Sequence, residues 1–168
     1  MNSKTMNEIR KKNQLDKESA LQKVFELILM GVKVKNPELL HIRGKIICGK
    51  NVKIDLNVII EGDVTLGDNV SIGANSILRD CKIGNGTIIN PYSLLEGSVI
   101  GANCFVGPYG RIRPDVSVGD HVSIGNFVEI KNSNIASNCR INHHSFVGDS
   151  DLAEQVTIGA GVITCNHD

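Results

Sequence analysis

The sequence predicts an all-β fold, in which short parallel strands coil into a three-sided prism behind one N-terminal α-helix. Three observations predict it. The first is composition: the 168 residues hold no Trp and 4% aromatics, against 37 Ile plus Val, 17 Gly and 17 Asn. β-Branched residues punctuated by Gly and Asn fit strands broken by frequent turns. The second is a repeat. From Cys48 an aliphatic residue recurs at Ile54, Ile60, Leu66, Ile72, Leu78, Ile83, Ile89, Leu95, Ile100, Val106 and Ile112. It continues at Val118, Ile124, Ile130, Ile135, Ile141, Val147, Leu152 and Ile158, and ends at Thr164. Of the 20 steps, 16 span six residues and four span five. The third is a second column two residues ahead of the first, beginning Val52, Val58, Val64, Val70, Ser76, Cys81, Thr87 and Ser93.

Taken in order, residues 1–15 are polar and read as a mobile tail. Residues 16–41 read as a linker helix and entry segment. In KESALQKVFELILM (17–30), Leu21, Val24, Phe25, Ile28 and Leu29 fall on one helical stripe, with Asp16 as N-cap and Gly31 as the stop. Residues 42–168 read as the prism. Inward residues at i−2 and i are strand periodicity, and Gly, Asn and Asp suit the left-handed backbone of a turn every six residues. Three hexads close one coil, so the repeat makes about seven coils, roughly 30 Å tall at strand spacing.

Charge and cysteine usage narrow the function. Eighteen Lys and Arg balance 18 Asp and Glu, which argues against a nucleic-acid or anionic-membrane binder. Five Cys occur singly, without a CxxC pair, as in a reducing compartment. The N-terminus lacks an apolar h-region and no run of 18 apolar residues occurs, so the expected location is cytoplasmic.

Coil arithmetic then places candidate site residues. Arg113 and Lys131 are 18 apart and each follows an inward aliphatic residue, so both point outward, one above the other. Two stacked cations repel unless an anion joins them. That leaves a phosphate site, or solvated surface charge with Glu129 sharing the load. His143 falls between Asn126 one coil back and Ala160 one coil on, beside a Gly-Ala-Gly turn. An imidazole beside exposed backbone N–H groups can serve acyl transfer, as base and oxyanion donors; a solvated turn histidine fits the same spacing. His121, His144 and His167 are four hexads apart, on three different faces, so no metal site is expected.

Four stretches carry a resemblance: IDLNVIIEGDVTLG (54–67), GPYGRIRP (107–114), GNFVEIK (125–131) and IGAGVITCN (158–166). The chain resembles hexapeptide-repeat acyltransferases, in particular the C-terminal half of the bacterial bifunctional N-acetylglucosamine-1-phosphate uridyltransferase/glucosamine-1-phosphate acetyltransferase family. The resemblance implies a left-handed parallel β-helix, a homotrimer, and acetyl-CoA as co-substrate, with no permanently bound cofactor. It implies acetyl transfer to the amine of glucosamine 1-phosphate, feeding UDP-N-acetylglucosamine, peptidoglycan and lipopolysaccharide synthesis. By motif, Arg113 and Lys131 bind the sugar phosphate, His143 is the catalytic base, Asn166 contacts the sugar, and Ala160 offers a backbone contact to acetyl-CoA. Phe146 stands where the family has a sugar-binding Tyr, Thr157 where it has a substrate-binding Asn, and His167 where it has a Tyr. The chain reads as truncated at both ends. The uridylyltransferase domain is missing, so neither uridylyl transfer nor a Mg²⁺ site is expected. A catalytically incomplete trimeric prism with a structural role is the alternative reading.

Overall fold

The six-residue period builds a solenoid directly, because each turn delivers the next short strand in parallel beside the strand one coil earlier. The computed structural model describes residues 3–164: an α-helix (Ser3–Leu29) followed by a parallel β-helix. Its first face stacks eight strands, from Lys33–Val34 and Lys53–Ile54 through Ser123–Ile124 and Arg140–Ile141 to Thr157–Ile158. The second face runs through Ile77–Arg79, Leu94–Glu96, Arg111–Ile112, Glu129–Lys131 and Phe146–Gly148. The third runs through Lys82–Ile83, Ser98–Ile100, Val116–Val118, Ser133–Ile135 and Asp151–Leu152. In the first coils, the long strands His41–Cys48 and Ile59–Leu66 cross from the second face to the third without a break. The four five-residue steps all lie between these two faces, so the shortening is absorbed at one corner and register holds everywhere else: Ile112 pairs with Ile130, and Ile130 with Val147.

Both predicted columns are inside. Ile60, Leu78, Leu95, Ile112, Ile130 and Val147 are fully buried, as are Val52, Ser76, Thr87, Cys104 and Val122 of the second column. Its small polar members donate to backbone carbonyls, as in Thr87 Oγ1 to Gly101 O (2.7 Å), Cys139 Sγ to Ala153 O (3.0 Å) and Ser145 Oγ to Gly159 O (3.0 Å). Burial disfavours the thiolate, pushing the Cys81 thiol up to about 12 and Cys48 to about 11.

The glycines act differently from expectation. Gly107 excepted (φ 85°), those directly after the inward residue, such as Gly84 and Gly101, do not supply the left-handed turn. A Cβ on either would lie 2.5 Å from backbone of the next coil, so they permit close stacking. The left-handed residue comes two positions later: Asn69, Asn75, Asn103 and Asn138, but also Tyr92, Tyr109, Phe127 and His144.

The helix also differs. It begins at Ser3 rather than after Asp16, because nothing between them is Gly or Pro and most residues are good helix formers. Among the described side chains from Thr5 to Ala20, all but Met6 are exposed. Its buried stripe is Val24 and Leu27, flanked by half-buried Leu21 and Ile28; Phe25 and Leu29 of the expected stripe are 44% and 86% exposed. Gly31 does end it, at φ 95°, with the Val32 N–H donating to Leu27 O at 3.0 Å. The prism also starts earlier than residue 42, since Lys33–Val34 is already its first rung.

Candidate active site

Register places Arg113 directly beneath Lys131 on the second face, because their inward neighbours Ile112 and Ile130 are partners. Each cation has a carboxylate. The Arg113 Nη1–H donates to Glu129 Oε1 at 3.0 Å, and Lys131 Nζ lies 3.5 Å from Asp149 Oδ2. These pairs end a longer ladder. Arg43 and Arg79 flank Glu61, Arg79 and Arg111 flank Glu96, and Arg111 Nε reaches Glu129 at 4.0 Å. The Arg79 and Arg43 guanidiniums hold the Glu61 carboxyl below the usual carboxylate range, through hydrogen bonds first and charge second. Glu129 thus shares the load, as the sequence allows. With side chains 38% and 32% exposed, Arg113 and Lys131 remain open to an anion in front of them.

His143 sits on the corner between the first and second faces, in the turn after Arg140–Ile141. The His144 N–H donates to Asn126 O and the Gly161 N–H to His143 O, both at 3.1 Å. So Asn126, His143 and Ala160 stand one above another, as the arithmetic predicts. The bonds also narrow the oxyanion donors. Gly161 spends its N–H on the His143 carbonyl, whereas the Ala160 N–H has no partner among the described residues. The His143 side chain is exposed, and its ring meets His144 edge-on, centroids 5.9 Å apart.

Phe146 is half-buried on the second face opposite Glu129, and Gly148 is opposite Lys131. Arg113, Lys131, Phe146, His143 and Ala160 therefore gather around one corner and the face it opens. Thr157 lies on the first face opposite Arg140, across that corner. Asn166 and His167 lie outside the described residues. Two grooves of about 460 Å³ each lie on the first face. One is lined by Lys33, Lys53 and Pro91, the other by Phe105, His121 and Arg140; neither includes His143, Arg113 or Lys131.

Sequence reasoning missed one feature. Tyr92, Tyr109, Phe127 and His144 stack in a single column, centroids 5.0, 4.9 and 5.1 Å apart and planes within 18°. Their spacings of 17, 18 and 17 residues were the available signal. Among the described residues no cluster of three His, Cys, Asp or Glu could hold a metal ion, and no helix is long and apolar enough to cross a membrane.

Residues 42–113 match the family described as the GMPPB C-terminal domain, and residues 97–132 match the bacterial transferase hexapeptide (six repeats). The chain is 52% identical over 142 residues to the bifunctional protein GlmU of Nitrosomonas eutropha, covering 84% of this chain and 31% of that protein. It is 44% identical over 138 residues to GlmU of an Azoarcus species, covering 82% and 30%. The chain thus spans about 30% of the length of the curated relatives it matches. Among solved structures, it resembles the acetyltransferase domain of PglB from Neisseria gonorrhoeae in complex with acetyl coenzyme A (TM-score 0.54, 19% identity, covering 72% of this chain and 60% of that one). It also resembles the GDP-perosamine N-acetyl transferase of Caulobacter crescentus in complex with CoA and GDP-perosamine (TM-score 0.52, 21% identity, covering 76% and 54%). Both likenesses show the shared fold.

Proposed function

The chain belongs to the hexapeptide-repeat family as kin of the C-terminal part of the bifunctional GlmU proteins, and from that premise we propose that it transfers acetyl from acetyl-CoA to the amine of glucosamine 1-phosphate. The observation that carries the proposal is the stacking of Arg113 and Lys131, one coil apart, on the face that opens at the His143 corner. Two cations in register suit the dianionic phosphate of a sugar phosphate, with Glu129 and Asp149 keeping them oriented while the site is empty. The sugar amine is then delivered to the His143 imidazole.

In the reaction, the amine nitrogen attacks the thioester carbonyl and forms the C–N bond. His143 takes the proton that the nitrogen sheds. The carbonyl oxygen gains negative charge and accepts the Ala160 N–H, which has no partner among the described residues. The C–S bond breaks, the electron pair leaves on sulfur, and coenzyme A departs as the thiol after protonation. Phe146 would cover the sugar with an apolar ring, without a hydroxyl contact. Thr157, across the corner, and Asn166 would complete the sugar contacts. Because His143, Arg113 and Lys131 stand on an open surface of one prism, the reading includes a homotrimer. A neighbouring prism then forms the second wall, and acetyl-CoA binds between the two. It also places the protein in the cytoplasm, supplying UDP-N-acetylglucosamine for peptidoglycan and lipopolysaccharide.

The test is release of coenzyme A thiol from acetyl-CoA in the presence of glucosamine 1-phosphate. His143→Ala is expected to lower the rate about 10²- to 10⁴-fold, the range for loss of a general base. Equal release from the variant would overturn the assignment.

A further inference from the structure

We propose that His144 is a positioning residue that orients the His143 imidazole, and that the aromatic column beneath holds His144 in place. The inference rests on His143 being the general base and deepens that reading. A histidine base works in one orientation, ordinarily enforced by a group bonded to its second nitrogen. Among the described residues no carboxylate, hydroxyl or carbonyl bonds the His143 imidazole, which stands exposed on its corner. The bonds at His143 O hold its backbone and leave its ring torsions free. What the ring meets is His144, at 5.9 Å between centroids and 89° between planes, an edge-to-face contact within the favourable 4.5–7 Å range.

His144 is itself held. Its ring stacks on Phe127, which stacks on Tyr109, which stacks on Tyr92. All four occupy left-handed backbone, with φ of 57°, 55°, 56° and 61°. Bulky side chains are unfavourable there. The corner between the second and third faces carries only Gly, Asp and Asn at its left-handed positions, from Gly62 to Asp149. Four consecutive coils instead accept the strain at the His143 corner, and the stacking they gain offsets it. The column stops at His144 because the coil above has Gly161 at this position, where even an added Cβ would meet nothing within 4 Å. The end rung is thus gripped from below and set edge-on to the base.

The test compares His144→Ala with His144→Phe in two measurements. In acetyl transfer, His144→Ala is expected to lower kcat about 10- to 100-fold, the scale of a misplaced catalytic group, with KM for both substrates within about twofold; His144→Phe, which keeps the stack, restores kcat. In proton NMR, the His143 ring resonances should move in His144→Ala and stay near their wild-type positions in His144→Phe. Either an unchanged kcat or unmoved His143 resonances in His144→Ala overturns the proposal. The two readings fail separately. Full activity in His143→Ala sinks the general base and this inference with it. Lost activity in His143→Ala beside wild-type kinetics in His144→Ala sinks this inference alone.

Discussion

At the scale of single residues, parallel register makes the sequence transparent. A separation of 17 or 18 residues is a vertical step, so the adjacency of Arg113 with Lys131 and of His143 with Ala160 follows from counting. What counting misses is lateral. Lys131 and Asp149 are 18 apart, yet register sets Gly148 opposite Lys131, so the 3.5 Å contact with Asp149 is a diagonal reach at the corner that no period encodes. The aromatic column was hidden for another reason: Tyr and Phe, three of its four members, are poor candidates for left-handed backbone, so no turn rule flags them. The proposed phosphate site makes a prediction at this scale. Arg113→Ala and Lys131→Ala should each lower kcat/KM for glucosamine 1-phosphate about 10- to 100-fold, the value of one charge-assisted contact of ~1.5–3 kcal/mol. Their exposed ion pairs are worth only about 0–1 kcal/mol, so the melting temperature should barely move. Wild-type kcat/KM in both variants would refute the site.

For the elements, the strands were legible and the helix only partly. An inward residue in a coil has a single place to go, because alternation and the three-sided closure admit one register. A helix has a continuous choice of rotation. Leu21, Val24, Phe25, Ile28 and Leu29 form a sound stripe, and so do Leu21, Val24, Leu27 and Ile28. The second is buried because the chain leaves the helix at Gly31 with the Val32 N–H on Leu27 O, which turns Leu27 toward the strand His41–Cys48 and swings Leu29 outward. Substitution separates the alternatives. Leu27→Ala should destabilise by about 2–5 kcal/mol, as for a buried leucine, and Leu29→Ala by under about 0.5 kcal/mol. Urea unfolding of the two variants measures the difference, and a larger loss at Leu29 would reverse the assigned face.

Across the whole molecule, a solenoid has no single centre, and each coil is held by the coils above and below it. The inward residues show the consequence. Ile112 and Ile130, in mid-prism, are fully buried, while Leu152, Val156 and Ile158 of the last coil are half-buried. Among the described residues, local opening should therefore be easier around these half-buried side chains than around the fully buried ones of mid-prism. The candidate site straddles this gradient. Its cations ride on mid-prism strands, whereas Ala160, the proposed oxyanion donor, belongs to the looser last coil. Hydrogen exchange of the free protein should show slow amides at Arg111, Arg113 and Glu129, bonded between well-buried coils, and faster ones at Asn142 and Thr164, whose bonds to Ile158 O and Phe146 O tie the half-buried coil to its neighbour. Saturating acetyl-CoA and glucosamine 1-phosphate should slow the last coil far more than the middle, because a ligand spanning both must order the weaker partner. Uniform protection along the prism, or no change in the last coil with ligands present, would contradict a site completed by that coil. Positioning of the oxyanion donor would then be independent of ligand binding.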